Sequence, residues 1–317
     1  MAARATRSAS RAASSDEGSE RCLLLALSHD ELGVVVDGLA DPLRPAVAVA
    51  LSSTCLGLRT PLLAALEVLK ERHARAVALC RKVGTSCTKL SYAEELTWTL
   101  KGLTAADMAT LGMLLSKWLP GLQDLDLDHS GLGDARVQAL CEGLERGAAP
   151  SLTGLGLGDN KIGPMGAEAL AAALRRGAMP KLEVLGLGFN PIGNQGVAAL
   201  APGLRKLAAL ESLYLCGCEI GDEGVASLFA NLGKDDFKAL EDLDIEHNEI
   251  TDVGMAKLLS AINSGGVPSL SDLASRDGND ASDEAVKAVH DAIQRRRAAQ
   301  ELLSEAEILA DTYDEEF

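Results

Sequence analysis

The side chains able to do chemistry in this chain are its histidines, cysteines and aspartates, together with one run of closely spaced glycines. Gly154, Gly156 and Gly158 could suggest a phosphate-binding loop, but they alternate with leucines as they would within a strand. A dinucleotide fingerprint instead needs its glycines in a strand-to-helix turn. No spacing suggests a Ser/His/Asp or Cys/His set for nucleophilic catalysis. We therefore predict no catalytic residues, no bound cofactor and a protein that is not an enzyme.

Metal ligation is the other chemistry open to these side chains. His129 and His247 occupy equivalent places on two predicted strands that lie four strands apart, too far to share an ion at bond lengths of ~2 Å. Asp124, Asp126 and Asp128 lie on one predicted strand and lack the wrapping loop that Ca²⁺ prefers. The sequence therefore predicts no metal site.

The charge and the cysteines bear on partners and compartment. The formal net charge is −16, and an acidic chain repels phosphate backbones, so we expect a basic protein surface as partner and no nucleic acid. The seven cysteines form no CxxC pair, which favours a reducing compartment, cytoplasmic or nuclear. No apolar run is long enough to cross a bilayer, which predicts no membrane partner. Residues 1–15 resemble an organellar transit peptide in composition, so an organellar location is the alternative.

The elements that must position these residues come from an internal repeat. Five L-x-x-L-x-L or L-x-x-L-x-I stretches align from their first leucine, in steps of 30, 30, 28 and 30 residues. Such a repeat predicts a stack of similar coils rather than one globular core. The anchors are Leu122, Leu152, Leu182, Leu210 and Leu240, and eight places after them stand Ser130, Asn160, Asn190, Cys218 and Asn248.

Each half of the repeat has a physical role. The L-x-L segment predicts a short strand whose leucines point inwards while the residues between them face the other side. An asparagine at the following turn can both donate to and accept from the buried backbone of neighbouring coils. The second half predicts a helix, with an N-cap or first-turn residue at Asp134, Pro164, Asn194, Asp222 and Asp252.

The pattern LxxLxLxxNxIGxxGxxxL, at about 29 residues per copy, resembles the ribonuclease-inhibitor-like leucine-rich repeats. The resemblance implies an α/β solenoid, a horseshoe with a parallel sheet on the concave side and helices on the convex side. Degraded copies begin near Ala93 and at Leu270, so we predict about seven repeats over 91–297. In the last copy the later core places are predicted at Ser275, Asp280, Ala285 and Ala288.

The predicted domains are a disordered tail at 1–20, a helical module at 21–90, the solenoid at 91–297 and an acidic tail at 298–317. Within the module, Leu-x-x-Asp-Glu-Leu followed by Leu-x-Asp-Pro-Leu resembles an F-box. That family binds a Skp-type adaptor of a ubiquitin ligase. The resemblance implies adaptor contacts at Leu27, Leu32, Val36, Leu39, Pro42 and Leu43. The alternative is a helical module that only caps the solenoid.

The side chains expected on the concave sheet lie two, four and six places after each anchor. They form two acidic strands, roughly 19 Å apart, on either side of a glycine floor. The predicted partner-binding residues are Asp124, Asp126, Asp128, Phe189, Tyr214, Asp242, Asp244 and Glu246. The alternative is that these exposed positions drifted to acidic residues without a partner.

These observations predict a protein–protein interaction scaffold that binds a macromolecular partner through the leucine-rich-repeat surface. Two alternatives stay open. One is an F-box-type substrate receptor of a ubiquitin ligase, and the other is an enzyme inhibitor or GTPase regulator of the ribonuclease-inhibitor-like class.

Overall fold

A computed structural model describes residues 40–54, 56–233 and 235–314. Contacts among them divide the chain into two compact units between Ala76 and Val77. The first unit contains α1 (Ala46–Thr54) and most of α2 (Leu56–Val83), and the second continues through α3 (Cys87–Leu90) into the repeats. Among the helices described, none combines the length and the apolar character needed to span a membrane.

Seven strand–helix pairs make up the repeats. The strands are β1 (Glu95–Thr97), β2 (Asp124–Asp126), β3 (Gly154–Gly156), β4 (Val184–Gly186), β5 (Ser212–Tyr214), β6 (Asp242–Asp244) and β7 (Asp272–Ala274). The helices that follow them are α4 (Ala105–Lys117), α5 (Gly133–Glu142), α6 (Pro164–Arg175), α7 (Gly193–Leu204), α8 (Asp222–Phe229), α9 (Asp252–Asn263) and α10 (Asp283–Asp314).

The strands form one parallel sheet in chain order, which confirms the predicted α/β solenoid. Its register aligns the central leucine of every strand, Leu96, Leu125, Leu155, Leu185, Leu213, Leu243 and Leu273. Six of these seven leucines, all except Leu96, are buried. Neighbouring strands lie about 4.8 Å apart, whereas packed helices need about 8–10 Å. A stack of such coils therefore bends with the sheet on its inner side.

Buried asparagines hold neighbouring coils together as the repeat predicts. Asn160 and Asn190 are fully buried. Asn160 Oδ1 accepts the N–H groups of Ser130 and Leu132 from the preceding coil, at 2.9 and 3.2 Å, and its Nδ2 donates to Leu127 O at 2.8 Å. Each such side chain therefore satisfies backbone groups that would otherwise be buried without partners.

The residues predicted at the helix starts lie in the first turn of their helices, as the sequence predicts. Their polar side chains also bind the start of the helix in the following repeat. Asp222 Oδ1 accepts the N–H groups of Thr251 and Gly254 at 2.9 and 2.8 Å. Asp134 and Asn194 make the equivalent pairs of bonds, and Pro164 has no side-chain acceptor with which to do so. These side chains therefore link the helices of successive coils.

The predicted core places of the last copy are partly wrong, because the copy carries one extra residue. The asparagine that bonds to the preceding coil is Asn279, which stands nine places after Leu270 rather than eight. Its Oδ1 accepts the Ile250 N–H at 3.2 Å. Ser275 is buried as predicted, whereas Asp280 is exposed. The helix faces are shifted by one residue as well. The buried places are consequently Val286 and Val289 instead of Ala285 and Ala288.

Candidate interaction surface

The outward face of the sheet stays open among the described residues. Leu125 and Leu185 are 0% exposed, whereas their strand neighbours Asp124 and Val184 are exposed, Val184 by 38%. This alternation is that of a sheet with one face in the core and one face towards solvent. The outward side chains are therefore available to a partner.

Three carboxylates line β2 and its C-terminal end, and two of them are held by backbone N–H groups. Asp126 Oδ1 accepts the N–H of Asp128 at 2.9 Å. Asp128 Oδ1 accepts the N–H of Gly158 at 2.5 Å, while Asp124 is exposed. Hydrogen bonds to ionised groups are strong ones, so Asp126 and Asp128 have fixed directions before any partner binds.

The glycines of β3 give the β2 carboxylates room. A Cβ on Gly154 would lie 2.5 Å from Asp124 Oδ1, and one on Gly156 would lie 3.0 Å from Asp128 Oδ1. Both glycines lie within a strand, as their alternation with leucines predicts. The aspartates lean across the neighbouring strand, and this is a physical reason for glycine that the sequence pattern did not supply.

The second acidic group includes a tyrosine. Tyr214 Oη donates to Asp242 Oδ2 at 2.8 Å, and Asp244 Oδ1 accepts the N–H of Glu246 at 3.0 Å. Burial raises the pKa of the Cys216 thiol to about 11, and the charge of Asp244 adds to the rise. The strand ends here thus present fixed carboxylates beside a neutral phenol and a neutral thiol.

Two shifted pKa values describe the electrostatics of this face. Partial burial raises the pKa of Asp128, and the charge of Asp126 adds to that rise against the opposing hydrogen bond from Gly158. The hydrogen bond to Asp242 raises the pKa of Tyr214. Since the charge of Asp126 contributes to the raised pKa of Asp128, a cation bound beside these two carboxylates would lower the pKa of Asp128.

A row of side chains in the left-handed region borders the sheet where the strands end. His129, Phe189 and His247 have φ values of 53°, 57° and 53°. Their N–H groups donate to carbonyl oxygens just after the strand of the following repeat, as in Phe189 to Cys216 O at 2.7 Å. Phe189 is 60% exposed, and a Cβ on Gly217 would lie 2.8 Å from its ring. The phenyl ring is therefore seated on a glycine and presented to solvent.

Comparison with known proteins agrees with this architecture. Residues 148–171, 178–201, 206–229 and 239–259 match a family model described as a leucine-rich repeat. The fold is a leucine-rich-repeat solenoid. A search of curated proteins found no match.

Two solved structures are similar to the chain. The tropomodulin C-terminal domain from Caenorhabditis elegans has 14% sequence identity and a TM-score of 0.39, over 63% of this chain and 99% of that domain. Leiomodin-1 actin-binding site 2 has 13% identity and a TM-score of 0.40, over 66% of this chain and 98% of that one.

The leucine-rich-repeat solenoid places the predicted partner-binding residues in two separate groups. Asp124, Asp126 and Asp128 lie on or just after β2, and the remaining acids lie on or just after β6 with Tyr214 beside them on β5. Three strands separate β2 from β6, so four strand spacings, roughly 19 Å, lie between the groups. Phe189 follows β4, between the two groups.

Most of the predicted adaptor contacts, Leu27, Leu32, Val36 and Leu39, lie outside the described residues. Pro42 and Leu43 are described and buried. Pro42 O lies 2.6 Å from His73 Nδ1, and Leu43 N–H donates to Asp41 Oδ1 at 2.8 Å. Adaptor binding by this segment stays a prediction.

Within the described part of the chain, no cluster of His, Cys, Asp and Glu side chains could hold a metal ion. His129 Nδ1 lies 2.7 Å from Asp159 Oδ2, an exposed pair that sequence reasoning missed. The sequence did indicate this pair, because both residues stand seven places after their anchors and the two strands are in register.

Proposed function

We propose that the chain is a protein-interaction scaffold whose leucine-rich-repeat solenoid binds a macromolecular partner on the outward sheet face. The observation that supports this most directly is the open sheet itself. Its inward leucines are buried, while its outward positions carry two groups of carboxylates separated by a floor of glycines.

The partner that fits this face is a protein with a basic surface. Asp126, Asp128 and Asp244 have oxygens fixed by backbone N–H groups, so they lose little conformational freedom when a cation binds. Lysine or arginine side chains about 19 Å apart would reach both acidic groups. The exposed Phe189 supplies an apolar contact between them.

The finer assignments are also proposals. The repeat pattern supports the ribonuclease-inhibitor-like class for the solenoid. The five described cysteines are free, and Cys80, Cys141 and Cys218 are buried. This supports a reducing compartment, cytoplasmic or nuclear. The F-box segment supports a substrate receptor as the alternative only through its sequence, and no described contact favours the enzyme-regulator alternative.

A charge-reversal experiment tests the proposed surface. The full chain and the variant Asp126→Lys/Asp244→Lys are used to capture partners from a lysate of the source cell, and captured proteins are identified by mass spectrometry. The matched control is Glu168→Lys/Glu223→Lys, which makes the same change of charge at exposed helix positions. Thermal melts confirm that all three proteins fold.

The expected result is a partner that binds the full chain and the helix-side control but binds the sheet-face variant weakly. Its remaining affinity for that variant should depend less on salt, because fewer opposite charges meet in the complex. Equal binding by the sheet-face variant, or loss of binding in the helix-side control alone, would place the site elsewhere.

A further inference from the structure

The first strand of the solenoid has backbone groups on its outer edge that no described residue bonds. In each of the six later coils, the N–H two places after the anchor donates to the preceding coil, as in Asp124 to Glu94 O at 3.0 Å. The carbonyl oxygen four places after the anchor accepts an N–H from the preceding coil, as Asp126 O does from Trp98 at 2.9 Å. Among the described residues β1 is the first strand of the sheet, so its corresponding groups have no such neighbour.

The register of the sheet assigns these groups to Glu95 and Thr97. The two residues pair with Asp124 and Asp126 of β2, and no described residue bonds the N–H of Glu95 or the carbonyl oxygen of Thr97. Both residues are exposed, and buried backbone groups are nearly always paired, so these two groups face solvent. A donor and an acceptor on the same edge, two residues or about 6.6 Å apart, are what a sheet edge offers to a further strand.

The inward side of β1 is incompletely covered as well. Leu96 is partly exposed, whereas the other six central leucines of the sheet are buried. Each of those six has a strand on the side of the preceding coil, as Leu125 has β1, and Leu96 has no described strand there. Leu100, three residues after β1, is 80% exposed. Apolar side chains of a further strand would therefore be stabilised by removing this surface from water.

The charge around this edge is acidic. Glu94 and Glu95 are exposed at the start of β1, and Asp124 is exposed on the neighbouring strand. Like charges would meet if two copies of this edge paired with each other, which disfavours a second copy of the chain. Outward side chains of an added strand would lie about 4.8 Å from β1 and about 9.6 Å from β2. A segment with basic residues at those outward places would therefore be attracted to both strands.

We propose that the outer edge of β1 binds an extended segment of a partner protein in which apolar and basic residues alternate. A carbonyl oxygen of the segment accepts the N–H of Glu95, and an N–H of the segment donates to the carbonyl oxygen of Thr97. The inward apolar side chain packs on Leu96, and the outward basic side chains lie beside the carboxylates. The segment takes the place that a preceding strand has in each later coil.

The test uses the full chain and a displayed library of random decapeptides as the probe. Peptides enriched on the wild type are synthesised, and their affinities are measured for the wild type, Thr97→Pro and Thr97→Val. The N–H of Thr97 points to the same edge as its carbonyl oxygen, so proline removes a donor there and its ring obstructs an added strand. Proline is accepted on an edge strand whose N–H faces solvent, so the variant should fold. Valine keeps the N–H and the shape of threonine, which makes it the matched control.

We expect Thr97→Pro to lower the peptide affinity at least about tenfold and Thr97→Val to change it by less than about twofold. The enriched peptides should show alternating apolar and basic residues. Equal affinities for the two variants would overturn the proposal. Enrichment of no peptide, or only of peptides without that alternation, would overturn it as well.

Amide hydrogen exchange gives a second measurement that does not depend on the folding of a proline variant. The amides of Glu95 and Thr97 should exchange rapidly in the free protein and become protected when the peptide binds. Protection of both amides without peptide would mean that another part of the chain or a second copy already covers the edge, and it would contradict the proposal.

A further variant separates this site from the proposed sheet-face function. Asp244→Lys/Glu246→Lys changes only the acidic group at β6, which lies five strand spacings, roughly 24 Å, from β1. Binding that is kept in this variant and lost in Thr97→Pro supports the edge site whatever the sheet face binds. The reverse pattern assigns the peptides to the sheet face and rejects the edge site. If both variants lose binding, protection of the Glu95 and Thr97 amides supports the edge site, and unchanged exchange rejects it.

Discussion

The asparagine ladder predicts a large and specific loss of stability when Asn190 is replaced by alanine. Asn190 is fully buried, and its Oδ1 accepts the N–H groups of Asn160 and Ile162 at 2.9 Å each. Its Nδ2 donates to Leu157 O and Leu187 O at 2.8 Å each. Alanine leaves at least two buried N–H groups without an acceptor. At about 1–3 kcal/mol each, the free energy of unfolding should fall by about 2–6 kcal/mol.

Cys218 supplies the matched control, because it occupies the same place in the next repeat. Its Sγ donates to Leu187 O at 3.2 Å, while the Ile192 N–H donates to Asn190 O at 2.7 Å. Cys218→Ala therefore removes one weak donor and should cost only about 1 kcal/mol. Urea unfolding followed by far-ultraviolet circular dichroism measures both variants. The dependence of the free energy of unfolding on urea concentration is compared as well, because repeat arrays can lose two-state behaviour. Equal losses for the two variants would refute the ladder as a source of stability.

Other contacts of the solenoid concern a core leucine, a glycine between two helices and a buried carboxylate. Leu185→Ala empties a fully buried place and should lower the free energy of unfolding by about 2–5 kcal/mol in urea; a negligible loss would contradict its core position. Gly196→Ala should cost about 1–3 kcal/mol, because its Cβ would lie 3.0 Å from the Ala167 Cβ. The control is Gly121→Ala, whose Cβ would have no atom within 4 Å, and it should change the free energy of unfolding by no more than about 0.5 kcal/mol. Equal losses for the two glycine variants would contradict the close approach of Gly196 to Ala167. For Asp222, partial burial raises the pKa, but the hydrogen bonds from its neighbours outweigh burial and hold the pKa below its usual value. Its contribution to stability is therefore present above about pH 3.9 and lost as the pH falls through the folded-state pKa. Unfolding of Asp222→Asn measured from neutral to acid pH should lack that part of the loss, and an unchanged pH profile would argue against it.

The sequence predicts the stacking of this chain because the repeat constrains two periods at once. Leucines at every second residue specify a strand, and the constant step between anchors specifies which residues of neighbouring strands align. The register of Leu125, Leu155 and Leu185 follows from the anchors alone. The buried asparagines were predictable for the same reason, since the coil must satisfy its backbone at the same turn in each copy.

What the sequence did not predict are contacts whose partner lies in the next coil. The position of Asp222 at a helix start is visible in the sequence, but its bonds go to Thr251 and Gly254, 29 and 32 residues away. The extra residue of the last copy was missed because Ala285 and Ala288 stand where small core residues are acceptable. The bond from Asn279 to the preceding coil and the burial of Val286 and Val289 show that the register has moved by one.

The reasons for the glycines of the sheet face were also hidden. Their alternation with leucine places them in a strand, but not beneath the carboxylates of another strand. The Asp124 side chain occupies the space that a Cβ on Gly154 would fill, and the ring of Phe189 lies over Gly217. Each of these contacts depends on side-chain direction, which spacing along the chain does not specify.

The same lateral bonding explains why recognition would concentrate on the outward sheet face of the solenoid. Within the array, each coil satisfies backbone groups of its neighbour through strand bonds and through an asparagine such as Asn190. The outward sheet face remains available because its strand bonds are made by backbone groups, and only side chains such as Asp128 also bond to a neighbouring coil.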